Sequence, residues 1–246
     1  MKYLINFSYN GSKFYGYQIQ KNKITVEGEI EKVLSRIFDT NINIVASSRT
    51  DKGVHAINQF ATFEIDKEIN TKKLCHSMNS MINEFIHIKK ISKVSSSFHV
   101  RYNVLKKEYV YKINIGEYNP IMAEYELQYC KKIDNELLDS FCKLISGKHN
   151  FRSFTSDKDN NNYIRDVIVD YKKSKNILYL RFESSGFLRY MIRNIVGLLI
   201  DINDGKKSIE DIESIFSDEN RCSLGRCASG CGLYLNKIEF IKEINK

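Results

Sequence analysis

Hydrophobic and polar positions change period several times along the chain, and the changes divide it into strands and helices. Residues 3–9, YLINFSY, alternate and are rich in β-branched and aromatic side chains, which predicts a strand running into the turn dipeptide Asn10-Gly11. From Thr25 the period lengthens. Val26, Ile30, Val33, Leu34 and Ile37 recur at helical spacing behind a threonine suited to cap the first turn. NINIVAS (41–47) and HAINQFATFEI (55–65) read as two strands, followed by a helix over Asn70–Met81 and a strand in EFIHIKKISKV (84–94). The order is β-α-β-β-α-β, a ferredoxin-like half.

The pattern then repeats less cleanly. KKEYVYKINI (106–115) is a strand, and Asp134 opens a helix carrying Leu137, Leu138, Phe141 and Leu144. DVIVDYKKSKNILYLRFESS (166–185) reads as a hairpin of two long strands. A helix from Phe187, an extra short helix over 209–216 and a closing strand in GLYLNKIEFI (232–241) complete the order. Two similar halves, 1–104 and 105–246, predict a pseudo-twofold α+β protein whose sheets join and enclose a central cleft. The βαββαβ topology alone implies no activity.

Composition narrows the classes. At 246 residues the chain can bury a sizeable core as one mixed domain or as two small lobes. Lys and Arg number 38 against 30 Asp and Glu, a net charge of +8 that suits a polyanionic partner such as nucleic acid. Six cysteines are spread through a chain opening MKYLINFSY, with no basic stretch followed by an apolar run. No secretory signal is expected, and reduced thiols in a cytoplasm fit better than disulfides. The longest apolar run, FLRYMIRNIVGLLI (187–200), is short of a membrane span and broken by Arg189, Arg193 and Asn194.

Candidate chemistry concentrates in SSRTDKGVHA (47–56). Arg49 and Asp51, at i and i+2, share a face if the segment is extended, and Gly53 marks a bend. An aspartate near an arginine stays ionised and available to attack an electrophilic carbon or accept a proton; the same pair also fits a plain loop salt bridge. His55, with no second His or Cys at ligand spacing, reads as a packed or hydrogen-bonded side chain. Arg189 and Arg193 lie one turn apart in an apolar helix. They either meet an anion, a phosphate or a carboxylate such as Asp51, or snorkel to the surface. Tyr109 and Tyr111 share a strand face and are either a stacking platform for an unstacked base or half-buried sheet residues. Lys13, Arg101, Lys106 and Lys107 are candidate phosphate contacts or solvated charges. Cys222, Cys227 and Cys231 are spaced C-x4-C-x3-C with no fourth ligand nearby, a poor zinc pattern. A P-loop, a dinucleotide fingerprint and a GxSxG elbow are absent, so neither a nucleotide cofactor nor a hydrolase triad is expected.

Taken in order, YNGSKFYGYQIQ, TVEGEIEKVL, SSRTDKGVHAINQFATFEI, FHVRYNVLKKEYVYKI, GKHNFRSF, GFLRYMIRNIVG and GLYLNKIEF resemble the successive blocks of the TruA-type tRNA pseudouridine synthases, from about residue 3 to about residue 240. That resemblance implies two ferredoxin-like halves around a continuous, largely antiparallel sheet (the pseudouridine synthase fold), and a homodimer working without cofactor or metal. It implies isomerisation of uridines on the 3′ side of the tRNA anticodon stem-loop, at positions 38, 39 and 40. By motif position the family's essential aspartate falls on Asp51, its neighbouring arginine on Arg49, its active-site tyrosine on Tyr109, and the helix arginine that pairs with the aspartate on Arg193. Arg49, Tyr109, Arg101, Lys107 and Lys13 are the expected substrate contacts. The chain departs from the family pattern at Lys52, where alanine is usual, at Ser48 for glycine and at Tyr17 for tryptophan. It also departs at Cys231, just before GLYL, in a stretch lacking the usual proline. The same topology also occurs in non-catalytic RNA-recognition modules, but their RNP1 string is absent here. A zinc-stabilised interaction protein is the remaining alternative.

Overall fold

The alternation of residues 2–9 becomes strand β1 (Lys2–Tyr9), which pairs antiparallel with β3 (His55–Glu64) on one side and β4 (Ile86–Val94) on the other. Between β1 and β3 runs helix α1 (Val26–Phe38), and between β3 and β4 helix α2 (Thr71–Met81). Thr25 caps α1 by accepting the Gly28 N–H at 3.3 Å, and the helix stops where Asp39 turns left-handed at φ 52°. Its buried stripe is Val26, Ile30, Val33 and Leu34. Asn70 caps α2 in the same manner, and Asn79 docks the helix on β4 by exchanging two 2.8 Å bonds with the backbone of Ile88.

NINIVAS contributes only a two-residue strand, β2 (Val45–Ala46), on the far edge of β3. The preceding amides are occupied elsewhere: Ile42 N–H donates to Ser35 Oγ at 2.9 Å and Ile44 N–H to Glu31 Oε1 at 2.8 Å. A backbone donor spent on a helix side chain cannot extend a ladder. On that same edge β10 (Leu233–Phe240) runs parallel to β3, pairing Tyr234 with His55 and Leu235 with Ala56.

The remaining elements are β5 (Val104–Asn114), β6 (Leu127–Gln128), α3 (Asn135–Ile145), β7 (Gly147–Asn150), β8 (Ile164–Ser174), β9 (Ile177–Ser184), α4 (Met191–Asn203) and α5 (Asp211–Asp218). Their strands follow the order β5-β9-β8-β7, with the β8–β9 hairpin turned by Lys175 at φ 53°. Helix α3 buries Leu138, Phe141, Cys142 and Ile145, so the expected apolar face is present but rotated, leaving Leu137 and Leu144 half-buried.

The computed structural model describes residues 1–157, 162–218 and 224–241. They cluster into two units, Met1–Lys107 with the chain from Tyr234 onward, and Glu108–Leu233. The fold is mixed α+β, with mostly antiparallel strands and, among the described residues, five α-helices. Strand β10 comes late in the chain, yet from Tyr234 onward it belongs to the first unit, where it pairs with β3.

Helix α4 departs from expectation at its start. The apolar run predicts a helix from Phe187, but Tyr190 adopts φ 63° and the helix begins at Met191. A left-handed residue cannot lie inside a right-handed helix, so Arg189 stands in the turn before α4 and not one helical turn from Arg193. Nearly the whole circumference of α4 is buried, and Asn194, fully buried, satisfies its amide by donating to Phe154 O at 2.8 Å.

Two substitutions probe this packing. A Cβ on Gly197 would lie 2.1 Å from the carbonyl oxygen of Arg226, a backbone atom that cannot swing away. Helix propensity favours alanine by about 1 kcal/mol, but the clash outweighs it. We expect Gly197→Ala to destabilise the protein by about 2 kcal/mol, read as a fall in Tm. Tyr17 is 1% exposed, and its hydroxyl has no hydrogen-bond partner among the described residues. Burial, then the charge of Glu27, pushes its pKa well above the usual phenol value. Tyr17→Phe removes a buried, unsatisfied hydroxyl while keeping the ring, and should raise stability by about 1 kcal/mol. A urea midpoint that falls would show that the hydroxyl is partnered.

Candidate active site

The segment Ser47–Ala56 leaves β2 and enters β3 through a turn closed by the Val54 N–H donating to Asp51 O at 3.2 Å, with Gly53 at φ 82°. The residue before Asp51 is held from two directions. Thr50 O accepts the Tyr17 N–H at 3.0 Å, and Thr50 Oγ1 bonds the hydroxyl of Tyr9 at 2.8 Å. Gly16 makes that approach possible: at φ 94°, its missing Cβ would lie 3.2 Å from Thr50 O and 3.3 Å from Lys52 N.

A second brace comes from Gln59, fully buried in the middle of β3. Its Oε1 accepts from Ser47 Oγ at 2.9 Å, and its Nε2 donates to Ser48 O at 2.8 Å. Two cations complete the support on the β2 side. Arg101 Nε donates to Ala46 O at 2.9 Å and Lys107 Nζ to Ser47 O at 2.7 Å. Burial, with the Arg101 charge as a smaller cause, lowers the Lys107 pKa to about 8.

Within this frame Asp51 is half-buried, while Arg49 is exposed and forms neither an ion pair with Asp51 nor any other hydrogen bond among the described residues. The plain loop salt bridge is therefore not what the structure forms. His55 is buried, accepts the Gly11 N–H on Nδ1 at 3.2 Å and stacks on Tyr234 at 4.6 Å, a packed and hydrogen-bonded side chain. Lys13 lies 5.8 Å from the ring of Phe85.

In the second unit Tyr109 is 6% exposed and meets Phe187 edge to face at 5.3 Å. Tyr111 is fully buried and donates its hydroxyl to Ser229 O at 2.6 Å; burial, then Cys231, drives its pKa well up. Tyr109 thus keeps a small accessible edge beside Phe187, while Tyr111 is wholly packed in the sheet. Arg193 is half-buried in the first turn of α4. Its Nε donates to Ala228 O at 2.8 Å, its own carbonyl accepts the Ala228 N–H at 3.0 Å, and its guanidinium lies 5.1 Å from the Tyr190 ring. Arg189 approaches the same ring at 4.9 Å.

Asp51, Arg49, Arg101, Lys107 and Lys13 thus belong to the first unit, and Tyr109 and Arg193 to the second. The reading of the sequence overlooked Gln59 and Tyr190. Gln59 had a signal, a polar side chain on the apolar face of a strand; the left-handed backbone of Tyr190 had none. Cys227 and Cys231 are not joined in a disulfide, Cys222 lies outside the described residues, and no described group of three His, Cys, Asp or Glu side chains is arranged to hold a metal ion. No helix among the described residues is long and apolar enough to cross a membrane.

Comparison with known proteins bears on the same residues. A family model described as tRNA pseudouridine synthase matches residues 5–103 and 141–240, spanning the Asp51 turn and the Arg193 helix. The tRNA pseudouridine synthase A of Malacoplasma penetrans is 38% identical over 239 residues, covering 96% of this chain and 98% of its own. The tRNA pseudouridine synthase A of Mycoplasma genitalium is 37% identical, covering 98% and 99%. A tRNA pseudouridine synthase A 2 of Bacillus cereus is 34% identical, covering 97% and 99%. A turn braced around an aspartate in RTDKGVHA and similarity along nearly the whole chain lead to one assignment: this chain belongs to the tRNA pseudouridine synthase family, of the TruA type.

Proposed function

We propose that the chain isomerises uridine to pseudouridine on the 3′ side of the tRNA anticodon stem-loop, at positions 38, 39 and 40, with Asp51 as the reacting carboxylate. The observation that carries this reading is the Asp51 turn. Its backbone is braced through Thr50, Ser47 and Ser48, while the aspartate itself stays half-exposed. A reacting group needs that combination of fixed position and access.

The chemistry follows from the substrate. The uridine leaves its stack so that the glycosidic bond can be reached. Asp51 acts as a nucleophile or as the base that starts cleavage. The N1–C1′ bond breaks, the uracil turns, C5 bonds to C1′, and the C5 proton is lost while N1 gains one. Atoms and electrons balance without a co-reactant. Arg193 serves as the cation that keeps the carboxylate ionised, held by Ala228 O and the Tyr190 ring. Tyr109 stacks on the base and assists removal of the C5 proton. Arg49, exposed and unpaired, braces the flipped nucleotide or its phosphate, and Lys13 adds a further backbone contact. Arg101 keeps the rest of its guanidinium for a phosphate after Nε is spent on Ala46 O; the Lys107 ammonium, donating to Ser47 O, does the same with its remaining hydrogens. The protein works as a homodimer in the cytoplasm, without cofactor.

Two variants test the assignment. Asp51→Asn should lower turnover on a transcribed tRNA by on the order of a thousandfold or more and leave RNA affinity nearly intact; robust activity in the variant would sink the carboxylate role. Arg193→Met should cut kcat far more than loss of one phosphate contact allows, with the slope of log K against log salt changing by about one at most. Pseudouridine mapping of RNA from cells with and without the gene names the positions modified.

A further inference from the structure

Beside the Asp51 turn the first unit carries a pair of lysines that the proposed reaction does not use. The ammonium of Lys23 and that of Lys52 each lie 4.4 Å from the centroid of one ring, Tyr15, which is 43% exposed. Among the described residues neither lysine pairs with a carboxylate. The acid nearest Lys23 in sequence, Glu27, is engaged at the start of α1, where its Oε2 accepts the Ile19 N–H at 2.9 Å, and Asp51, which adjoins Lys52 in the chain, forms no ion pair with it. We propose that Tyr15, Lys23 and Lys52 form a phosphate-contact site for the RNA backbone next to the reacting uridine.

Three observations carry this. Like charges gathered on one aromatic ring, with no carboxylate paired to either among the described residues, leave a local positive charge that an anion relieves. The backbone that carries this ring is itself fixed. Tyr15 N–H donates to Ile24 O at 2.9 Å, Gln20 Nε2 donates to Tyr15 O at 2.6 Å, and Val26 N–H donates to Gly16 O at 3.3 Å. The loop is also joined to the Asp51 turn by the Tyr17 to Thr50 bond, and Lys52 follows Asp51 directly in the chain. An RNA whose uridine reaches Asp51 therefore carries its neighbouring phosphodiester within reach of Lys52. Lysine suits this role as a mobile point charge. Lys52 stands where the family pattern has alanine, which makes the site a property of this chain more than of the fold.

The inference rests on the proposed RNA substrate, and the test separates the two. For Lys23→Ala/Lys52→Ala, Kd for a tRNA transcript should rise on the order of tenfold near 0.1 M salt, and the slope of log K against log salt should flatten by about 1.5. KM should follow Kd while kcat at saturation stays unchanged. Tyr15→Phe should bind as the wild type, and Tyr15→Leu, which keeps both charges but removes the ring, should bind several-fold more weakly. Unchanged Kd and slope in the double variant would overturn the site. So would an equal loss from Lys172→Ala/Lys175→Ala, which removes the same charge in the other unit, or a fall in kcat with Kd unmoved. Wild-type protein that binds tRNA but forms no pseudouridine would sink the function reading alone, since the binding series is read without turnover.

Discussion

The carbonyl of Thr50 accepting the Tyr17 N–H is the contact on which the proposed chemistry depends. It ties the segment that precedes α1 to the turn that presents Asp51, and Gly16 provides the clearance. A turn between two strands would otherwise be among the more mobile parts of a fold. Here the Tyr9 hydroxyl and the Gln59 amide bond Thr50, Ser47 and Ser48, so the backbone leading into the Asp51 turn is held by the protein's own hydrogen bonds. Preorganisation of this kind lowers what the substrate must supply in ordering energy.

Positive charge in this protein has two destinations. Lys107 and Arg101 donate to carbonyls at 2.7 and 2.9 Å, and burial, with the Arg101 charge as a smaller cause, lowers the Lys107 pKa. Lys23 and Lys52 stay exposed over one ring and pair with no carboxylate among the described residues. A net charge of +8 does not distinguish them. Position decides which cations spend a donor on a backbone carbonyl, as Arg101 and Lys107 do, and which lie over a ring, as Lys23 and Lys52 do.

In the second unit the same logic places Arg193. The left-handed turn at Tyr190 starts α4 one turn late and brings an aromatic ring beside the guanidinium, while Ala228 exchanges two hydrogen bonds with the arginine. The far end of α4 is tied as firmly. Arg226 bonds Asp201 at 2.6 Å and Asp204 at 3.0 Å, and the bond from Lys131, with Tyr129 and Arg226 contributing, holds the Asp204 carboxyl down at about 2. A helix so nearly buried around its circumference keeps its charged groups where a partner exists.

Sequence by itself determined what depends on neighbours a few residues away. Periodicity and capping chemistry marked α1 from Thr25, α2 from Asn70, the β8–β9 hairpin and the α+β class, because spacing and local hydrogen bonds act within one element. The ordered family blocks pointed to Asp51 and Arg193 as the expected site residues without any geometry. Tertiary structure alone decided which competing local preference prevailed. It shortened NINIVAS to two paired residues because α1 side chains took its amides, and it turned Tyr190 left-handed inside an apolar run. It buried Tyr109 and Tyr111, and it separated Arg49 from Asp51 although they stand two residues apart. The physical reason is the same in each case: a hydrogen-bonding group or an apolar surface has several acceptable partners, and only the packed chain shows which one it meets.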